Sequence, residues 1–292
     1  EIIKSIVGSI HKKIGLHCTY GEQNIKKLPF YTDVSGAVLY HHENADGTGT
    51  FGKRWDEIPL FARIIHLCDM VDVMGNSCDF SGESWIRAKE YVCRNRNILF
   101  DSECADAFLE VFSEENFVSM SQDRFEDELW KKIPRDKRDC DFETCKGIAD
   151  FFAGIVDYKS EFTGKHSLGV AKKAAELAEY MGYSQADIEK FYMAGALHDI
   201  GKMAIGNEIL EKPGRLTDEE FSRMKNHAGY TYMILSEVKD FDEVRDWAAL
   251  HHEKLDGTGY PFGKKAEELN EPERLMACID IYQALTEDRP YK

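Results

Sequence analysis

Long apolar runs are missing from this sequence. None approaches the ~20 residues that a membrane-spanning helix needs, so the stretch contains no membrane segment. No signal peptide opens it. Basic residues are in deficit, with 37 Lys and Arg against 53 Asp and Glu, and the net charge is −16. That balance excludes a broad surface for a nucleic-acid polymer or for anionic lipid. A small anionic ligand stays compatible, provided that metal, Lys or Arg meets its charge locally. The eight cysteines form no CxxC pair and no dense framework. They read as reduced thiols, which indicates a cytoplasmic protein. Period-2 alternation, the signal of strands, is scarce.

Helical patterning fills the sequence instead. "HSLGVAKKAAELAEYMGY" sets Val170, Ala174, Leu177, Ala178 and Met181 on one stripe, and Gly182 supplies a stop. "DIEKFYMAGALHDIGK" predicts a second helix. "LTDEEFSRMKNHAGYTYMIL" predicts a third, with Thr217 and Glu220 as a capping box. "FDEVRDWAALHHE" predicts a fourth with His251 on its apolar side. "EPERLMACIDIYQAL" predicts a fifth, with Pro272 in its first turn. The fold class expected is all-α.

A repeat organises the chain. His17 precedes His41 by 24 residues, and His227 precedes His251 by the same 24. "HHENADGTGTFG" at 41–52 answers "HHEKLDGTGYPFG" at 251–263. His42 to Asp69 is 27 residues and His252 to Asp280 is 28, the extra residue falling at Tyr260-Pro261. Two homologous helical domains in tandem follow, 1–125 and 126–292, parted at the charged stretch around 120–140. The copies are offset against the chain: 16 residues precede His17, whereas 101 separate position 126 from His227. The sequence is therefore expected to start inside one domain and stop inside the next.

The second copy gathers seven candidate metal ligands: His166, His198, Asp199, His227, His251, His252 and Asp280. Each lies in or beside a predicted helix, and five of the chain's ten histidines belong to the set. Imidazole and carboxylate together suit Fe, Mn, Zn, Co or Ni without a thiolate. Neighbours such as His198 and Asp199 diverge by about 100° on a helix. They can serve two adjacent metals, or one metal and a bridge, for which Asp199 is the natural carboxylate. Two metals ~3.5–4 Å apart lower the pKa of a shared water and clamp the oxygens of an in-line displacement at phosphorus. Lys202, three residues after Asp199, can hold a phosphate oxygen as a point charge. Arg289 is a second phosphate candidate. Gly257 and Gly259 permit a tight turn after the His pair, and Pro261 stiffens it. Tyr260 either stacks on a base or packs.

"LHDIGK" followed by "HHEKLDGTGYP" resembles the HD-GYP subgroup of the HD-domain phosphohydrolases. "FTGKHSLGVA", "ILEKPGRLTDEEFSRMKNHA" and "ACIDIYQALTEDRPY" extend the resemblance over about 150–292. It implies a helical fold with the site between helices, metal ligation by the seven residues above, and phosphate contacts by Lys202 and Arg289. It implies catalysis by Asp199 and Lys202 in a bacterial phosphodiesterase. Such an enzyme opens cyclic di-GMP to pGpG, and often on to GMP, by a hydroxide bridging the metals. 3′,3′-cGAMP or another nucleotide is the alternative substrate. A non-hydrolysing sensor of cyclic dinucleotides is the alternative function. The complete ligand set favours an enzyme, and the Gly-Tyr-Pro turn with Arg289 favours a cyclic dinucleotide. Implied partners are the cyclic dinucleotide, a second copy of the chain, or a cyclase domain.

Family members with three metals carry a carboxylate four residues before the first His. Here that position is Phe162, and Glu161 stands five residues before His166. Five helical residues rotate by about 500°, which turns Glu161 away from the site. Two divalent ions are expected, Fe or Mn first, with Zn, Co and Ni also suited. The first copy keeps His17, His41, His42 and Asp69 but has Cys78 where Arg289 would correspond. The counterparts of His166, His198, Asp199 and Lys202 would fall before residue 1. A packing or dimerisation role is expected for the four survivors, ahead of metal binding.

Overall fold

A computed structural model of the chain describes residues 2–76, 80–120, 125–133, 140–159 and 166–287. Among them are thirteen α-helices, three short 3-10 turns and no strand, so the all-α class holds. None of these helices is long and apolar enough to cross a membrane. The chain divides into two compact units. One comprises Glu1–Lys26 and Phe30–Asp139, the other Lys27–Pro29 and Cys140–Lys292.

The first unit carries α1 (Ile2–Ile25), α2 (Leu60–Asn76), α3 (Gly82–Arg94), α4 (Ser102–Val111), α5 (Glu114–Ser119) and α6 (Phe125–Lys132). Ser81, Asp101 and Ser113 start α3, α4 and α5 by accepting a first-turn N–H. These caps aim the apolar faces at an aromatic centre. Phe117 lies 5.6 Å from Trp85 and 5.3 Å from Phe80, ring to ring.

The second unit carries α7 (Phe142–Lys159), α8 (His166–Tyr180), α9 (Gln185–Leu197), α10 (Asn207–Leu210), α11 (Asp218–Ser236), α12 (Asp242–Ala249) and α13 (Glu271–Thr286). Its core lies where α8 crosses α9. A Cβ on Gly195 would sit 2.6 Å from Ala171 Cα, so only glycine allows the two backbones to approach this closely. Val170, Ala174 and Ala178 are buried as their stripe predicts. Met181 is exposed, because α8 stops at Tyr180 and Gly182 turns the chain at φ +79°. The Tyr183 N–H then donates to the Ala178 carbonyl, closing the helix end. The capping box of Thr217 and Glu220 forms at the start of α11, and α13 opens on Asn270 with Pro272 in its first turn.

Two helices end earlier than the sequence pattern predicts, and both ends carry the candidate ligands. The α9 helix stops at Leu197. His198 and Asp199 stand at the break, and Ile200–Ala204 continue as a 3-10 turn. The change of pitch follows from packing against α11. A Cβ on Gly201 would lie 2.0 Å from the His227 carbonyl oxygen. Thr231 on α11 donates its hydroxyl to the His198 carbonyl and accepts the Gly201 N–H. The α12 helix stops at Ala249, so His251 lies just beyond the predicted stripe. There the Glu253 N–H turns back to the Leu250 carbonyl and the Tyr260 N–H to that of His252.

The packing at Gly201 sets a test. Gly201→Ala is expected to destabilise the fold by about 1–3 kcal/mol, the usual cost of overpacking. It should also lower metal content, because the carbonyl it pushes belongs to His227. Urea denaturation and elemental analysis read the two effects, and a variant equal to the parent in both would refute the close approach.

Candidate metal centre

Five stretches of chain bring the seven predicted ligands together. His166 is the first residue of α8. Its position is held from α7, where the buried Asp157 accepts both the Ser167 N–H and the Ser167 hydroxyl. His198 and Asp199 come from the end of α9, His227 from the middle of α11, His251 and His252 from the turn after α12, and Asp280 from α13. Three overlapping groups result: His166–His198–Asp280, His198–Asp199–His251 and His227–His251–His252. Within each, the ligand atoms lie within 4.8 Å of one another.

The imidazoles are oriented by their backbone. His198 Nδ1 lies 2.8 Å from the Gly195 carbonyl, His227 Nδ1 2.7 Å from that of Met224, and His251 Nδ1 2.6 Å from that of Ala248. A carbonyl only accepts, so each Nδ1 must carry the proton and donate. Each Nε2 is then the atom left to face the interior, and all three are buried without a hydrogen-bond partner. An unsatisfied buried polar atom costs about 1–3 kcal/mol. Three of them within overlapping groups of ligand atoms is the arrangement cations would relieve, so these residues fit a metal.

The carboxylates supply the complementary charge. Asp199 Oδ2 lies 3.2 Å from His198 Nε2, and its Oδ1 lies 3.4 Å from His227 Nε2. One carboxylate thus faces two different imidazoles with its two oxygens, the disposition of a bridge. His166 Nε2 meets Asp280 Oδ1 at 3.2 Å, and its Nδ1 meets Glu287 Oε2 at 3.2 Å. A carboxylate behind a histidine in this way orients the ring and raises its basicity as a ligand.

Electrostatics divide the site. Burial alone would lower the His198 pKa, but the charges of Asp199 and Asp280 lift it to about 9. Burial would raise the Asp199 carboxyl, yet Lys202 and His198 hold it well below the usual range. Asp280 is likewise held low, by His166, His198 and His251 against the effect of burial. His227 and His251 are pushed down by burial, and His252 falls to about 4 through burial and the neighbouring His227. At neutral pH these three are bare bases ready to ligate.

Of the other predicted residues, Lys202 reaches Asp199 Oδ2 at 2.5 Å, at the edge of the centre. The Tyr260 ring lies 4.7 Å from that of His252, and burial pushes its hydroxyl pKa up. It forms one wall of a groove of about 600 Å³ shared with Ser222, Lys225, Asn226, Pro261 and Phe262. Arg289, Glu161, Phe162 and Cys78 lie outside the described residues.

Sequence reasoning missed several residues that support the site. Lys225 stands over the Tyr260 ring at 5.7 Å. Asp157 and Glu287 brace His166. Glu253 is buried and accepts the N–H groups of Phe262, Gly263 and Lys264, which folds the Gly-Tyr-Pro turn over the centre. A signal for Glu253 was present, since an acid trails the His pair in both copies. For the others, only the fold brings the partners close.

The HD-domain family profile matches residues 10–101 and 150–292, most of both units. The chain belongs to the HD-domain family. Among curated HD relatives, 3′3′-cGAMP-specific phosphodiesterase 1 of Vibrio cholerae is 32% identical over 94% of this chain and 66% of its own length. The V. cholerae 3′3′-cGAMP-specific phosphodiesterase 3 is 31% identical over 100% of this chain and 63% of its own length. A cyclic di-GMP phosphodiesterase of Pseudomonas aeruginosa is 41% identical over 45% of this chain and 32% of its own length. The chain thus spans less than two thirds of the length of each of these relatives. A crystal structure of a cyclic GMP-AMP-specific phosphodiesterase of V. cholerae superposes with a TM-score of 0.61 and 27% identity, covering 97% of this chain and 65% of the other.

The electrostatics of this HD centre predict proton release. His198, at about 9, is charged at pH 7 and must be neutral to ligate. Metal binding at pH 7 should therefore expel about one proton per chain. The release should fade as pH rises through 9. It should grow again below pH 5, where His252 begins to hold a proton of its own. Calorimetric titration in buffers of different ionisation enthalpy measures it, and no buffer dependence at pH 7 would contradict the His198 assignment.

Proposed function

We propose that the second unit is a metal-dependent phosphodiesterase that opens a cyclic dinucleotide, working with two divalent cations. The observation that carries this reading is the set of three buried, partnerless Nε2 atoms ranged around a carboxylate whose oxygens face two of them. His166, His198 and Asp280 would hold one cation and His227, His251 and His252 the other, with Asp199 shared. Bound there, such cations lower the pKa of a water and neutralise charge on a phosphoryl group.

The chain's own groups do the rest. Lys202 is part-exposed and can turn its ammonium from Asp199 to a phosphate oxygen. Tyr260 and Lys225 offer a flat ring and a positive charge along one groove, which suits a nucleobase and its phosphate. Asp157 and Glu287 keep His166 aimed inward, and Glu253 keeps the Gly-Tyr-Pro turn closed over the site. Arg289 is proposed as a second phosphate contact. On the ligand pattern alone, cyclic di-GMP is the first substrate to try. The relatives that align along both units are named for 3′3′-cGAMP, and that favours 3′,3′-cGAMP as the second.

Incubation with Mn²⁺ or Fe²⁺ and each of the two cyclic dinucleotides, followed by chromatography, tests the reading. A linear dinucleotide or a mononucleotide should accumulate from at least one. Tight binding with no product would make the unit a sensor instead.

Two variants separate the roles. Asp199→Ala should abolish turnover and lower metal content, and full occupancy with parental kcat would remove Asp199 from the mechanism. Lys202→Ala should leave metal content unchanged. A charge-assisted contact to phosphate is worth roughly 1.5–3 kcal/mol, so kcat/KM should fall by ~10–150-fold. An unchanged kcat/KM would leave Lys202 as a partner of Asp199 only.

A further inference from the structure

The first unit holds its own group of imidazoles. His17, on α1, meets His41 and His42, whose ligand atoms lie within 4.8 Å of one another and of that of His17. The unit's fold builds this meeting. His41 Nδ1 donates to the Val38 carbonyl, as His251 Nδ1 does to that of Ala248. His66, buried on α2, sets its Nδ1 3.1 Å from the His41 carbonyl. Glu43 accepts the N–H groups of Phe51 and Lys53 and closes the following loop, as Glu253 does in the second unit. The paired rings lie alike in the two units, tilted by 40° and 45° with centroids 3.9 Å apart for His41–His42 and 4.0 Å for His251–His252.

We infer that His17, His41 and His42 form a mononuclear metal site in the first unit, for a borderline divalent ion such as Zn²⁺. The donors are all imidazole nitrogen, the class preferred by Zn, Cu, Ni and Co rather than Mg or Ca. With Nδ1 of His41 committed to a carbonyl, its Nε2 carries a lone pair. That lone pair faces His17 Nε2 at 3.3 Å. At that distance a proton on His17 Nε2 can be shared with His41 Nε2. The distance also matches the ~3.3–3.4 Å between two nitrogens bound to one tetrahedral zinc at 2.0–2.1 Å. His17 and His42 both lie within electrostatic reach of Asp69, which partly offsets the charge of a bound cation. Asp69 corresponds in the repeat to Asp280. His17 is exposed, so an ion can enter from solvent. This inference stands against the packing role expected from sequence, because a proton shared by His17 and His41 does not account for the ligand atom of His42 lying within 4.8 Å of both. It does not rest on the cyclic-dinucleotide reading of the second unit.

The test loads the full chain with Zn²⁺, removes loose ion by desalting, and counts zinc per chain by mass spectrometry. His17→Gln and the double variant His41→Gln/His42→Gln should each carry about one zinc fewer than the parent. Circular dichroism should match the parent, and hydrolysis of the cyclic dinucleotide should stay within about twofold. His17 is exposed on its helix, so His17→Gln keeps the test decisive even where the double variant misfolds. Zinc unchanged in His17→Gln overturns the proposal, and so does hydrolysis lost with zinc unchanged. A parent without hydrolysis would bear on the proposed function alone, since zinc is counted independently of it.

Discussion

Everything at the centre depends on one small interaction, the hydrogen bond from a histidine Nδ1 to the carbonyl three residues before it. It recurs at His198, His227 and His251, and again at His41. It settles the tautomer, because a carbonyl has no proton to offer. It also fixes the ring against its own backbone, so the direction of Nε2 follows the helix rather than a free rotamer. Two of these residues, His198 and His251, stand within two residues of a helix C-terminus, where the last carbonyls have no intrahelical partner. The helix end and the ligand therefore satisfy each other.

Such rings have to be aimed by the rest of the unit. Gly195 and Gly201 give up side chains so that α8, α9 and α11 can approach to backbone contact. Thr231 takes the carbonyl and the N–H freed where α9 changes pitch. Asp157 holds the first turn of α8, and with it His166. A centre distributed over five stretches of chain keeps its geometry only if each stretch is fixed independently. In the second unit the buried Asp157, Ser167, Thr231 and Glu253 do this fixing.

The two units carry the same loop with different contents. Asp46 and Asp256 each accept the N–H of a threonine two residues on, and Gly47 and Gly257 each take a positive φ. A buried glutamate gathers the returning strand of N–H groups in both. The second unit alone has Tyr260-Pro261, which brings a ring against His252 and lines a groove. The added residue changes what lies beside the histidines without disturbing how they are held.

Periodicity, caps and the repeat determined the helical class, the two homologous units and the candidate ligands by themselves. These are local facts, carried by residue type and spacing along a few turns. The breaks at Leu197 and Ala249 were not legible, because the sequence around them continues to read as helix. They arise from α11 crowding Gly201 and from a loop folding back on His252. Glu287 behind His166, Asp157 behind Ser167 and Lys225 over Tyr260 were illegible for a similar reason. Each is an ordinary surface-type charge in sequence, and only long-range packing places it against its partner. In the first unit the sequence supplied His17, His41 and His42 as remnants of a repeat. The tertiary structure decided that their ring nitrogens meet, because α1 and the loop after Val38 hold the rings from two directions at once.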